Sequence, residues 1–247
     1  MDLSSWEGGL IVSCQAPAGD PLHDPAIMAA MARAAELGGA VGIRANGPED
    51  IAAIRKAVGL PIIGIFKQKL EGFPVYITPT LAAARAVVEA GADIVAIDAT
   101  PRRRPGGWTA PELIDAIHRE LKVPVMADIS TFAEGLAAAR AGADLVATTL
   151  SGYTEESLTG AAPLQGPDLD LVRQLASSVS VPVICEGRVH SPADLVAALE
   201  AGAFAVVVGT AITRPQWITE QFVLASRQRK GGMGSEVREK EPVARNR

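Results

Sequence analysis

The sequence predicts one α/β domain closed as a (β/α)8 barrel, and three observations carry the prediction. A unit recurs along the chain: an Ala-rich segment with helical spacing, a small-residue turn, then a short β-rich run, as in "AAELGGAVGIRA", "VEAGADIVAIDAT", "RAGADLVATTL" and "LEAGAFAVVVGTAI". The β-rich runs are continuous in Val, Ile and Leu, the pattern of strands buried on both faces of a parallel sheet. About eight such units fill the 247 residues. That count and length fit a (β/α)8 barrel, with a doubly wound open sheet as the other candidate.

Taken in order, the first strand is "GLIVSCQA", and "AVGIRA" follows the first Ala-rich helix across Gly38 and Gly39. Glycine there ends the helix by supplying the positive φ of a C-cap. The third, fifth and seventh strands, "GLPIIGIFK", "KVPVMADIS" and "SVPVICEGR", carry Pro61, Pro124 and Pro182 as first residue, where a missing N–H costs least. The fourth, sixth and eighth, "DIVAIDAT", "DLVATTL" and "FAVVVGTAI", are each entered from a Gly-containing helix end. The connection "QKLEGFPVYITPT" is longer than a usual βα loop and is read as carrying a short strand over the site. Residues 1–229 form the barrel domain, while 230–247 are charged, Gly-containing and without apolar periodicity, and are expected to be a disordered tail.

Composition narrows the partners. A net charge of −5 and a pI near 5.3 argue against nucleic acid, which selects a strongly basic face, and leave a small molecule as the expected ligand. The stretch "MDLSSWEGGL" has no basic n-region and no window approaches a membrane-spanning length, so no membrane partner is expected. Only Cys14 and Cys185 are present, both in apolar runs, which excludes a disulfide framework and suits a reducing cytoplasm. His23, His118 and His190 share no metal-ligand spacing, and no Walker-type loop appears, so neither a metal nor nucleotide hydrolysis is expected.

A barrel of this kind builds its site at the C-terminal ends of its strands. Reading each strand to its end gives Gln15, Arg44, Lys67, Asp98, Asp128, Thr148, Glu186, and Gly209 with Thr210. Structural roles compete at each. Thr148 and Thr149 suit strand-end pairing, Asp98 can cap its loop or hold one of Arg102, Arg103 and Arg104, Asp128 can orient the next helix, and Cys185 reads as a small hydrophobe.

Lys67 and Glu186 stand apart because both follow directly on apolar strands. Desolvation favours neutral Lys and neutral Glu, drawing the two pKa values toward the range useful for proton transfer. Ending the third and seventh of about eight strands, they should face each other across the mouth. That placement suits removal of a proton from one face of a carbon and its return to the other; a buried ion pair is the competing role. Gly187, Gly209, Thr210 and Arg214, with Arg188 nearby, form a candidate phosphate site at the seventh and eighth strand ends, where backbone N–H groups favour an anion.

At these residues the chain resembles the N-acetylmannosamine-6-phosphate 2-epimerase family. The resembling segments are "SCQA", "GGAVGIRANG", "LPIIGIFK", "VYITPTL", "EAGADIVAIDAT", "MADIST", "TTLSGYT", "EGRVHSP" and "VVVGTAITRPQWIT", in order from about residue 8 to residue 222. The resemblance implies a (β/α)8 barrel, no redox cofactor or required metal, a homodimer, and conversion of N-acetylmannosamine 6-phosphate to N-acetylglucosamine 6-phosphate in sialic-acid and amino-sugar catabolism. By the same resemblance Lys67 and Glu186 are the catalytic pair acting at C2. Gln15, Arg44 and Asp128 would contact the sugar and its N-acetyl group, and Arg214 with the glycines near it would take the phosphate. The rival readings are an aldose–ketose isomerase, a Schiff-base aldolase acting through Lys67, and a sugar-phosphate sensor without turnover.

Overall fold

The structure, a computed structural model, describes residues 3–158 and 165–232. Eight strands, β1 (Gly9–Cys14), β2 (Gly42–Asn46), β3 (Ile62–Ile65), β4 (Ile94–Asp98), β5 (Val125–Asp128), β6 (Leu145–Ala147), β7 (Val183–Glu186) and β8 (Ala205–Val208), pair in sequence order. All pairings are parallel, and β1 closes on β8 from Gly9 opposite Ala205 to Val12 opposite Val208. The expected barrel is thus the observed one, and the open-sheet alternative falls. The helices are α1 (Pro25–Leu37), α2 (Pro48–Ala57), α3 (Leu81–Glu89), α4 (Ala110–Leu121), α5 (Phe132–Arg140), α6 (Leu169–Ala176), α7 (Pro192–Glu200), the short α8 (Thr210–Thr213) and α9 (Pro215–Gly232).

Pro61, Pro124 and Pro182 stand one residue before their strands rather than at the first position. Their missing N–H therefore falls outside the ladder, while their carbonyls accept from Ile43, Val95 and Val146 of the neighbouring strands at 3.0, 3.0 and 3.1 Å. The loops after β3, β4, β5, β6 and β7 end at Thr80, Thr109, Thr131, Asp168 and Ser191, whose side chains accept from the first turn of the following helix. These caps satisfy orphan helix N–H groups and fix where each loop stops.

Alternation along the strands divides the apolar residues into two cores. One set, including Ile62, Val95, Ala127, Cys185 and Val206, packs outward against the helices. The other, including Ile11, Ile63, Ile65, Ile94, Met126, Leu145, Ile184 and Val207, fills the barrel, with the fully buried Trp6 at the same inner cluster. Outward-facing Gly64 shows how tight the outer layer is: a Cβ there would lie 2.5 Å from that of Ala92.

The long connection after β3 does carry an extended piece, an antiparallel bridge between Lys67 and Ile77. Gln68 N–H donates to the Tyr76 carbonyl at 2.8 Å and Thr78 N–H to that of Phe66 at 3.0 Å. Helix α9 runs across the expected domain boundary at 229, and residues 233–247 of the expected tail lie outside the described residues. Among the described residues no helix is long and apolar enough to cross a membrane.

Candidate active site

The period of two that sorts the core also selects the site. Continuing each inward-facing series past the last core residue reaches Gln15, Arg44, Lys67, Asp98, Asp128, Thr149, Glu186 and Gly209. Of these, Gln15, Arg44, Lys67, Thr149, Glu186 and Gly209 line one cavity of about 360 Å³ at the strand C-termini. Thr148 has the opposite parity and does not line the cavity. Its hydroxyl donates to the Glu186 carbonyl at 3.0 Å and accepts from the Glu186 N–H at 3.1 Å, joining β7 to the end of β6.

Arg44 is the centre of the charge network and is 1% exposed. Its Nη1 and Nη2 fork onto Asp128 Oδ1 and Oδ2 at 3.0 and 2.6 Å, and Nη1 also donates to Glu186 Oε2 at 2.6 Å. Burial alone would lower the Arg44 pKa, but the two carboxylates outweigh it and hold the guanidinium charged. Thr149 Oγ1 lies 2.6 Å from Asp128 Oδ1 and 3.2 Å from Glu186 Oε2, so it bridges the same two carboxylates.

Two of the residues expected against the sugar are paired with each other. Asp128, expected against the sugar, is fully buried beneath Arg44 and does not line the cavity. Arg44 lines the cavity, but both terminal nitrogens are already committed to carboxylates, so it orients Glu186 rather than offering a free fork.

Lys67 reaches the cavity from the far side of the mouth. Its Nζ donates to Gln15 Oε1 at 2.7 Å, Gln15 Nε2 donates to Ser13 Oγ at 2.7 Å, and the Lys67 backbone N–H donates to Asn46 Oδ1 at 2.9 Å. No ion pair joins Lys67 to Glu186 among the described residues, so the ion-pair role weighed from sequence is not what the two groups form. Burial is the main force lowering the Lys67 pKa, with the nearby Arg44 charge adding to it. Burial also pushes Glu186 up to about 7, helped by the Asp128 charge and opposed by Arg44.

Gly187, Thr210 and Arg214 line the other end of the cavity with Gly209. Gly187 has φ +109°, a backbone conformation L side chains rarely adopt. A Cβ on Gly209 would lie 3.3 Å from Ser13 Cβ, and Thr213 Oγ1 donates to the Ser13 carbonyl at 2.9 Å, so α8 is seated directly on the end of β1. The Arg214 side chain is 43% exposed, and its one ion pair among the described residues, to Asp20, is long at 3.9 Å. It is therefore available to a ligand. Arg188 lines the same cavity but is more tightly held: its Nε donates to the Gly166 carbonyl at 2.8 Å, its Nη1 to that of Ser151 at 2.6 Å, and its guanidinium lies over the Tyr153 ring.

Asp98 leaves the site as well. Its Oδ1 accepts from Thr100 N–H and Oγ1 at 3.0 and 2.6 Å and its Oδ2 from Arg102 at 2.7 Å, which realises the loop-holding role weighed for it. Burial pushes the thiols of Cys14 and Cys185 up to about 12, far from the thiolate a nucleophile needs. Sequence reading did not single out Tyr76, Asn46 or Tyr153, which also line the cavity. Among the described residues no group of three or more His, Cys, Asp or Glu side chains is arranged to hold a metal.

Comparison with known proteins adds an independent line. A family profile described as "Putative N-acetylmannosamine-6-phosphate epimerase" matches residues 28–228. A protein of Caldanaerobacter subterraneus subsp. tengcongensis is 57% identical over 229 residues, covering 92% of this chain and 95% of its own. One of Clostridioides difficile is 50% identical over 223 residues, covering 90% and 98%. Both carry the description "Putative N-acetylmannosamine-6-phosphate 2-epimerase". The solved structure of the N-acetylmannosamine-6-phosphate 2-epimerase from Clostridium perfringens superposes with a TM-score of 0.85 at 45% identity, covering 90% of this chain and 95% of that one.

Proposed function

Since the chain belongs to the N-acetylmannosamine-6-phosphate epimerase family, we propose that this isomerase interconverts N-acetylmannosamine 6-phosphate and N-acetylglucosamine 6-phosphate by moving a proton at C2. The observation that carries the reading is that Lys67 and Glu186 open into one cavity without pairing to each other, with burial disfavouring the charged form of both. Neutral Lys67 and protonated Glu186 are the forms needed for one to take a proton while the other gives one.

In the ring-opened sugar C2 is α to the aldehyde. Lys67 takes the C2 proton and becomes an ammonium, and the electron pair forms the C1–C2 double bond of an enolate whose negative charge lies on the former aldehyde oxygen. Glu186 then delivers its proton to the opposite face of C2 and becomes a carboxylate. Exchange with solvent restores both groups. The Lys67 ammonium formed in the first half stabilises the developing oxyanion, a role Arg44 is too committed to fill. Arg214, Thr210 and the backbone at Gly187 and Gly209 take the phosphate, supported by their place at one end of the cavity. Gln15 holds Lys67 and borders the sugar.

The setting we propose is sialic-acid and amino-sugar catabolism in the cytoplasm, where two buried free thiols stay reduced. A homodimer is supported by Phe222, Val223 and Leu224 of α9, which are 75%, 39% and 50% exposed. The test is proton NMR of N-acetylmannosamine 6-phosphate with the enzyme in D₂O. Gluco product carrying deuterium at C2 is expected; gluco product retaining the original proton there, or unchanged substrate with folded protein, overturns the reading.

A further inference from the structure

Thr149 sits where one hydroxyl hydrogen has two carboxylates to choose between. Asp128 already receives two hydrogen bonds from Arg44, while Glu186 Oε2 receives one. The Thr149 oxygen is 2.6 Å from Asp128 Oδ1 and 3.2 Å from Glu186 Oε2. A hydroxyl has one hydrogen to give and lone pairs to accept with. When the hydrogen points at Asp128, a Thr149 lone pair faces Glu186, which is favourable only if Glu186 carries a proton. When the hydrogen swings to Glu186, it favours the carboxylate.

We propose that Thr149 is a positioning residue whose hydroxyl rotates with the protonation of Glu186, bonded to Asp128 while Glu186 is the acid and to Glu186 once its proton has gone. The hydroxyl keeps its own hydrogen throughout; only its direction changes, so the Glu186 proton is transferred to substrate carbon or solvent and never to Thr149. Asp128 tolerates the loss because Arg44 still gives it two bonds. The proposal rests on the acid/base role assigned to Glu186. The groups that face Glu186 are Arg44 from β2, Lys67 beyond β3, Asp128 from β5 and Thr149 beyond β6, and Tyr76 of the long connection after β3 interacts with Arg44 and Asp128.

The position was within reach of the sequence, since Thr149 and not Thr148 continues the inward series Leu145, Ala147. Thr149→Val keeps the shape and removes the rotor. The measurement is a carbon-13 NMR titration of the Glu186 carboxyl in the free enzyme, assigned with Glu186→Gln, beside the pH profile of kcat. In Thr149→Val the Glu186 titration is expected to move down by about one unit, a tenfold loss of proton affinity, since the acid form loses two hydrogen bonds, to Asp128 and from Glu186, and the carboxylate form only one. The matching limb of kcat should move with it while KM changes little. Thr149→Ser should return both to the wild-type position. A Glu186 titration unmoved in Thr149→Val, or moved equally in Thr149→Ser, overturns the proposal. Should the valine variant not fold, Thr149→Ala is read the same way. Because the titration needs no turnover, it stands apart from the D₂O experiment: absent exchange at C2 sinks the epimerisation mechanism, while an unmoved titration sinks only the rotor.

Discussion

Lys67 is held by a neutral partner: its Nζ lies 2.7 Å from the amide oxygen of Gln15, not against a carboxylate. Gln15 is itself oriented by Ser13, which accepts from its amide nitrogen at 2.7 Å and so leaves the amide oxygen for Lys67. Lys67 thereby gains a hydrogen bond without a countercharge to hold its proton, and burial remains free to lower its pKa.

Gln15→Glu puts a negative charge at that position. The charge favours the ammonium, so the Lys67 pKa rises and the limb of kcat/KM that requires neutral Lys67 moves to higher pH. The expected displacement is about one to two units, with turnover at neutral pH reduced about tenfold or more. A pH profile of kcat/KM for the variant, compared with wild type, reads both numbers.

Glu186 links activity to stability. Its folded pKa, about 7, lies above the ordinary 4.5, so its contribution to stability is fully present below 4.5 and is lost as pH rises through 7. Glu186→Gln removes that loss. The variant is expected to be nearly inactive yet to melt higher than wild type at pH 8, with the gap closing toward pH 4. Thermal melts of both proteins across this range test it, at roughly 2–4 °C per kcal/mol for a domain of this size.

Arg214 should act on the phosphate alone. Arg214→Ala is expected to raise KM for the 6-phosphate substrate about tenfold or more, the loss of a charge-assisted hydrogen bond. Unphosphorylated N-acetylmannosamine, assayed at saturating enzyme, should turn over equally well with both proteins. An equal loss on the two sugars would remove Arg214 from the phosphate role.

Gly64 tests the packing behind the base. Its missing Cβ would lie 2.5 Å from Ala92 Cβ and 3.1 Å from both Val87 Cβ and Ile51 Cδ1. Gly64→Ala must push α2 and α3 away from β3, at a cost of about 1–3 kcal/mol. Calorimetry is expected to show the drop in Tm without any change in the enzyme's pH profile, because the strain falls on the outer face of the strand.

The barrel was legible in this sequence because each βα unit declares itself locally, by glycine at a helix end and a continuous apolar strand. The inner ring was legible too, once the period of two was carried past each strand: Gln15, Lys67 and Glu186 follow from it directly. What the strands cannot declare is how far a long side chain reaches across the barrel. Arg44 crosses from β2 to β5 and β7, to partners 84 and 142 positions away. Nothing near Arg44 or Asp128 in the chain distinguishes a pair locked together from two groups free to bind sugar. Asp98 illustrates the converse. It has the right parity, but Thr100 and Arg102, only two and four residues on, capture it before it can serve the cavity.

Barrel closure also imposes an order in time during synthesis. The strands whose pairing closes the barrel, β1 and β8, are made first and last, and Thr210 and Arg214 leave the ribosome after every acid and base of the site. A nascent chain that has emerged only through β7 already possesses Lys67 and Glu186 but no floor beneath β1 and no grip on an anion. A chain that stops there carries both candidate acid/base groups and none of the eighth-strand residues proposed to hold the phosphate.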